Sequence, residues 1–323
     1  MKTSQIATLF CPLVLLGLLG SPTLAQDRSI ADAARKTLQT YEKAVITLAA
    51  VIKIEAKGLD GLDREQKTQC VAQIIDSNGL AVTALSNLSP QSTKIRVNRG
   101  GTPQTVEIDC QVQEVKYRLT DGSEVPARVV LKDPDLDVAF LAPMKPLDEQ
   151  TLPKIAAIPC TESTGPIQIL DDTFIIGRMP EDFNYRPILR IGRIEAVLTT
   201  PRTCYLNSSS GVGTVVFDRN GKMVGLLCRC VSGDGSESRT TRSLSLILPA
   251  AEIVKLLPQV KDEMNKLAEE DKKAEAEKKR AAEKKTETEK KADADKMPQE
   301  EKKAAPSETP ATKSEELKPA AAQ

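Results

Sequence analysis

Between residues 44 and 248 the chain is cut into short β-branched runs, each bounded by Gly, Asn, Asp or Pro, and that texture restricts the fold more than any other feature. The runs are Ala44 to Ile54, Val71 to Ile75, Leu80 to Leu85, Thr105 to Glu114, Ala127 to Leu131 and Val138 to Leu141, then Pro166 to Leu170, Thr173 to Ile176, Ile188 to Leu198, Thr214 to Phe217, Met223 to Leu227 and Ser243 to Leu248. Many short strands separated by turn residues predict an all-β barrel or sandwich, and this span is long enough for two in tandem. A helix precedes them, with Ser29 as N-cap and Asp32 three residues on, then Ala-rich positions through Thr40. A second starts at Pro249, a residue suited to the first helical position, and runs through Leu257.

Both ends stand outside that globular part. Lys2, the apolar stretch Leu9 to Leu19 and the exit Ser21-Pro22-Thr23-Leu24-Ala25 have the three regions of a secretory signal, with cleavage expected after Ala25. The apolar run is shorter than the ~20 residues of a membrane-spanning helix, so the mature chain is expected to be exported, periplasmic or secreted, with no stable membrane span. From residue 261 to 323 there are 16 Lys or Arg, 17 Asp or Glu and no aromatic residue. Such a stretch buries too little apolar surface to offset its ordering entropy. Glu-Lys pairs at four-residue spacing favour a solvated helix up to about Lys296, and Pro298, Pro306, Pro310 and Pro319 favour disorder beyond it. Leu267, Ala274 and Ala281 recur at seven, but their companion positions are charged, which favours a lone helix over a coiled coil. The tail suits a spacer, or a contact with a partner or surface. The expected divisions are 1–25 signal, 26–43 helix, 44–150 first barrel, 151–258 second barrel with its helix, and 259–323 tail.

Composition removes whole classes of chemistry. The chain has no histidine, so a Ser-His-Asp or Cys-His unit and an imidazole metal site are excluded. With 45 basic against 45 acidic residues, it lacks the cationic surplus of a nucleic-acid binder. No cofactor signature is present.

The order of motifs is similar to that of HtrA/Deg-type, trypsin-like serine proteases. Ile74-Ile75-Asp76-Ser77-Asn78-Gly79-Leu80-Ala81-Val82-Thr83-Ala84-Leu85-Ser86 resembles their strand-turn-strand that ends on the catalytic histidine. Asp133-Pro134-Asp135-Leu136-Asp137-Val138-Ala139-Phe140-Leu141 resembles the segment with the catalytic aspartate. Gly211-Val212-Gly213-Thr214-Val215-Val216-Phe217, continuing through Asn220-Gly221-Lys222-Met223-Val224-Gly225-Leu226, resembles the nucleophile loop and its hairpin. The closing Ile247-Leu248-Pro249 into a helix fits as well. The resemblance covers residues 44 to 257 and implies two six-stranded antiparallel barrels with a groove between them. Nothing after residue 258 resembles the PDZ module that usually follows.

Position by position, the resemblance implies loss of the machinery. Ser86 stands where the histidine belongs, Val212 where the nucleophile belongs, and only Asp137 keeps its identity. Ser86 cannot shuttle a proton near neutral pH, and valine has no nucleophilic atom. In a longer loop Ser210 could be the nucleophile, but the base would still be missing, and no lysine lies near Ser86, Asp137 or the serine-rich loop in sequence. In the main alignment Ser210 takes the place of the Gly that helps form the oxyanion pocket. Asp137 should then accept a hydrogen bond from the Ser86 hydroxyl or from backbone N–H groups, because an unpaired buried charge is costly. The expected function is a non-catalytic pseudoprotease holding a peptide or protein ligand in the inter-barrel groove. The alternative is an active endopeptidase with a non-standard nucleophile or base.

Six cysteines follow the signal: Cys70, Cys110, Cys160, Cys204, Cys228 and Cys230. An even count in an exported chain points to disulfides. The expected barrels divide them two and four, suggesting Cys70 with Cys110, and Cys204 with Cys228 or Cys230, which leaves Cys160 for the remaining one. Zinc held by Cys204, Cys228 and Cys230 with a further thiol is the lesser reading, since the paired spacing of such sites is absent, and no metal is expected.

Overall fold

A computed structural model of the chain describes residues 22–57, 64–89, 94–99, 102–161, 165–208, 211–232 and 242–294. The first sheet contains β1 (Val45–Lys57), β2 (Arg64–Ile74), β3 (Ala81–Ala84), β4 (Lys94–Arg99), β5 (Thr102–Arg118), β6 (Glu124–Asp133) and β7 (Val138–Pro143). Its order is β1-β2-β3-β7-β6-β5-β4, and β5 also pairs with β1, which closes six strands into a barrel and leaves β4 as a hairpin extension of β5. The second barrel contains β8 (Asp172–Arg178), β9 (Pro187–Leu198), β10 (Cys204–Asn207), β11 (Val215–Phe217), β12 (Met223–Ser232) and β13 (Arg242–Pro249), closed in the order β10-β13-β12-β11-β8-β9. The strand pairings among the described residues are antiparallel, as the turn-rich sequence predicts.

The period-two alternation of side chains creates three cores rather than two. Inward residues such as Leu48, Ile74, Tyr117 and Leu141 fill the first barrel, and Ile175, Val216, Leu227 and Ile247 fill the second. The outward residues of the same strands, among them Val45, Val82 and Phe140 from one barrel and Phe174, Phe217 and Leu226 from the other, merge into the largest cluster. The barrels therefore share an apolar seam, and the loops at its rim are held at fixed relative positions.

Two helices seal that seam. α1 (Pro22–Tyr41) buries Ile30 and Ala34 in it, and Tyr41 stacks on Phe217 with ring centroids 5.2 Å apart. The helix starts at Pro22 rather than at residue 26, and Glu42–Ala44 form a separate 3-10 turn. Ser29 is therefore not an N-cap. It lies inside the helix, where its hydroxyl accepts a hydrogen bond from the Arg219 guanidinium at 2.7 Å, and Asp32 pairs with Arg35 at 2.7 Å. Good helix formers before Ser29 extend the helix past the residue that looked like its start. The expected signal segment falls mainly on residues 1–21, outside the described residues. No described helix is long and apolar enough to cross a membrane.

Three strand expectations change. Pro166–Leu170 forms no strand: the Gln168 N–H bonds the Asp171 carboxylate at 2.7 Å and Leu170 takes a φ of 72°, so the segment turns. β4 reads Lys-Ile-Arg-Val-Asn-Arg and β10 has four residues; both are too charged or too short to stand out as runs.

α2 (Ala250–Ala294) begins one residue after Pro249, which ends β13. Its packing does not stop at residue 258. Ile253 and Val260 are buried in the shared seam, with Leu256, Leu257 and Met264 against it, and Pro258 is exposed on the opposite side. The apolar stripe at three- and four-residue spacing outweighs the one hydrogen bond the proline removes. The helix continues to Ala294, and residues 295–323 lie outside the described residues. Ending the chain after Pro258 should lower unfolding free energy by about 2–4 kcal/mol relative to ending it after Leu267, because Val260 and Met264 lose their burial. Equal urea midpoints for the two truncations would refute this.

Candidate functional site

Asp137 sits where the β6–β7 turn meets the shared seam. Asp133 shapes that turn by accepting the N–H groups of Asp135 and Leu136 at 3.0 and 2.9 Å. Asp137 itself adopts φ 56°, is 3% exposed, and accepts the Leu85 N–H on its own carbonyl at 3.0 Å. Its carboxylate takes three further donors. Oδ1 accepts the Ser86 N–H at 2.6 Å, and Oδ2 accepts the Ser86 hydroxyl at 2.9 Å and the Arg229 N–H at 2.6 Å. The expected bond from Ser86 is present, together with a donor from the second barrel that the sequence did not reveal.

Burial raises the Asp137 carboxyl above the usual aspartate range, and the donors from Arg229 and Ser86 recover part of the shift. A folded pKa above the unfolded one means that the folded state binds the proton more tightly, so this group's contribution to stability grows as pH falls through the folded pKa toward the unfolded value. The stability of the native chain minus that of Asp137→Asn should therefore rise between pH 7 and pH 4 in urea titrations. A fall over that range would remove burial as the dominant cause.

Asn87, in the 3-10 turn Leu85–Asn87, joins this centre to the 211–214 loop. Its Nδ2 donates to the Thr83 hydroxyl at 3.2 Å and to the Val212 carbonyl at 2.9 Å, while the Thr83 hydroxyl donates to the Val71 carbonyl at 2.8 Å. Gly213, with φ 86°, donates its N–H to Leu227 at 2.6 Å. The Thr214 hydroxyl closes the loop onto the Gly211 carbonyl. Ser86 and Asp137 are thus in direct contact, and Val212 reaches them through its backbone and Asn87. Gly211, Val212 and Gly213 carry no nucleophilic side-chain atom. Ser210 lies outside the described residues, and Ser208 is exposed.

Beside Arg229 a cleft of about 270 Å³ opens between β12, β13 and the β9–β10 turn. Leu198, Pro201, Leu246 and Leu248 give it apolar walls, and Asp135, Arg202 and Arg229 add charge. β11 pairs with β12 only as far as Leu226, whereas β13 follows β12 to Ser232. Residues 228–232 of β12 therefore have a sheet partner on one side only among the described residues.

The cysteine pairings are corrected by strand register. All six are free thiols. Cys70 stands opposite Leu48 and Cys110 opposite Ile54 on the same strand β1. Six residues of strand separate them by ~20 Å, whereas a disulfide joins α-carbons ~4.4–6.8 Å apart. Leu206 faces Leu246, and Leu246 faces Cys228. Cys204 is therefore two strands and two residues from Cys228, ~12 Å, and farther from Cys230. Cys228 and Cys230 point to one face with their β-carbons ~6.6 Å apart, beyond the ~3.5–4.5 Å that a relaxed bridge spans. Cys204, Cys228 and Cys230 do share the cleft, but no group of three or more Cys, Asp or Glu is arranged to hold a metal among the described residues.

Residues 70–226 match the family model of the trypsin-like peptidase domain. No curated protein matches the chain. Among solved structures it is similar to a variant of the HtrA-type protease AlgW with a tripeptide, with 17% identity and a TM-score of 0.46 over 70% of this chain and 63% of that one. The chain thus spans less than two thirds of that relative's length. With two closed six-stranded barrels meeting at Asp137 and the 211–214 loop, the chain carries the trypsin-like serine protease fold.

Proposed function

We propose that this chain is an exported pseudoprotease that holds a peptide or protein segment in the groove between its barrels without hydrolysing it. One observation carries the reading: both carboxylate oxygens of Asp137 are already engaged by Ser86 and the Arg229 N–H, in a chain with no imidazole to stand between that carboxylate and a nucleophile. A serine hydroxyl bonded to the aspartate orients nothing and takes no proton from an attacking group near neutral pH. The one-sided stretch of β12 at residues 228–232 suits main-chain pairing with an extended segment, and the neighbouring apolar cleft suits one of its side chains. Export rests on the leader read at residues 1–25, and the charged tail serves as spacer or second contact.

Purified full-length chain should hydrolyse neither a fluorogenic peptide library nor unfolded casein above the buffer rate, and should take no label from a fluorophosphonate. It should bind members of a peptide array, with slowed amide exchange along residues 228–232. Turnover abolished by Ser210→Ala would establish the non-standard endopeptidase instead, and absence of peptide binding would remove the groove from the proposal.

A further inference from the structure

Main-chain hydrogen bonds on one side of an antiparallel strand recur at every second residue, so Leu227, Arg229 and Val231 of β12 aim theirs away from β13. Leu227 is bonded there to the 211–214 loop: its N–H donates to the Thr214 carbonyl at 2.9 Å, and its carbonyl accepts the Gly213 N–H at 2.6 Å. At Arg229 the ladder is continued by a side chain, the Asp137 carboxylate, whose Oδ2 accepts the Arg229 N–H at 2.6 Å. Beyond it, Val231 has no strand on that side among the described residues. Asp137 belongs to the first barrel, yet it fixes β12 of the second one step before the stretch suited to an extended segment. The charges around it are few. From β12 come the Arg229 guanidinium, which favours the ionised carboxyl, and the Cys228 thiol; its own turn carries Asp133 and Asp135, while Leu85–Asn87 and residues 211–214 carry no titratable side chain.

We propose that Asp137 is a positioning residue whose ionisation governs ligand pairing along β12: as a carboxylate it holds the Arg229 main chain in line for an extended segment, and as an acid it lets go. The proposal rests on the peptide-binding reading above. When a proton from solvent joins Oδ2, the new O–H donates to the Ser86 oxygen, and the Ser86 hydroxyl turns its own hydrogen away. The Arg229 N–H then faces a protonated oxygen, and a charge-assisted bond, about twice as strong as a neutral one, is lost. Oδ1 keeps the Ser86 N–H, so the half of the tie within the first barrel survives and the half that reaches the second does not. Burial raises the carboxyl above the ordinary aspartate range and so brings the change nearer neutrality. That burial acts on the stability of the whole chain, whereas the lost bond acts on β12 alone. The contribution of Asp137 to stability therefore rises as pH falls while ligand affinity drops.

The test uses the full chain with isotope-labelled arginine and serine, and acetyl-Ala-Leu-Val-Leu-Ala-amide as a probe without titratable groups. In the ligand-free chain the Arg229 and Ser86 amide signals should titrate with one midpoint, the Arg229 proton moving upfield as pH falls. The dissociation constant of the probe should rise at least about fivefold from pH 7 to pH 4. By reciprocity, saturating probe should lower the midpoint of the Arg229 signal. Asp137→Asn should hold affinity at the weaker value throughout. Ser86→Ala should move the midpoint to higher pH, because the carboxylate loses a donor that favours its charged form, whereas a purely structural role for Ser86 would leave the midpoint in place. An Arg229 amide that does not titrate, or an affinity that is flat or rises toward low pH, overturns the proposal. Failure of the probe to bind at any pH counts against the groove, and the Arg229 signal of the ligand-free chain then decides by itself whether the proton works the tie.

Discussion

Replacing Arg178 with methionine should lower unfolding free energy by about 3 kcal/mol, the loss expected when a buried hydrogen-bonded charge is removed and its acceptors stay behind. Arg178 ends β8 in the second barrel, yet its side chain is only 5% exposed and crosses to the first. Nε donates to the Val45 carbonyl at 2.9 Å, one terminal nitrogen to the Tyr185 carbonyl at 3.3 Å, and the other to the Glu42 carbonyl, with the Glu42 carboxylate 3.9 Å away. Burial lowers the guanidinium pKa, and the Glu42 charge partly offsets this, but such a group stays protonated throughout the ordinary pH range. Methionine keeps much of the apolar stem and supplies no donor, so three carbonyls lose their partner at once. Relief of guanidinium desolvation offsets part of that loss, which is why the expected figure is below the sum of three charged hydrogen bonds. For a folded part of this size the melting temperature should fall by about 6–12 °C. Arg178→Lys should recover only part of the loss, because an ammonium cannot fork to carbonyls on three sides. A methionine variant within 0.5 kcal/mol of the native chain, on the scale of an ordinary surface change, would mean that these bonds contribute nothing net.

Arg178 also shows where sequence reading reaches its limit. The strands were legible because alternation and turn residues are local: β1, β7 and β12 fall where β-branched residues run between Gly, Asp and Asn. The contact of Ser86 with Asp137 was legible because the two motifs sit in β3–β7 neighbours whose order follows from the resemblance. Register is different. Whether Cys70 lies near Cys110 depends on how many residues of β1 separate their partners, and nothing within β2 or β5 encodes that number. The Arg229 donor to Asp137 is likewise a backbone N–H from the other barrel, available from any residue type. Ser29 misled because a hydroxyl three residues before an acid has the same pattern inside a helix as at its start. Pro258 misled in the opposite sense, since the apolar stripe on α2 continues through it to Met264. Asn87 carried a weak signal: it is polar, follows Ser86 directly, and sits on a turn that must face the 211–214 loop if the barrels pair as they do.

That contact makes Gly213→Ala the second large effect, with an expected loss of about 3–4 kcal/mol. Gly213 holds φ 86°, a conformation that costs a residue with a Cβ ~1–2 kcal/mol. A Cβ placed there would stand 2.2 Å from Asn87 Nδ2, 2.5 Å from the Thr83 hydroxyl and 3.2 Å from the Ala84 backbone nitrogen. The Asn87 amide would have to leave, and with it the bonds to Thr83 and Val212, each contributing ~1 kcal/mol. The two components can be separated. In an Asn87→Ala background the amide is already gone, so Gly213→Ala should cost mainly the backbone strain and the approach to Thr83, and the double-mutant cycle should show a coupling of at least about 1 kcal/mol. Additive losses would mean that Asn87 does not fix the loop, and that the strand ladder alone holds residues 211–214 against the turn that bears Ser86. The coupling therefore tests whether Asn87, one residue after Ser86, ties the 211–214 loop down.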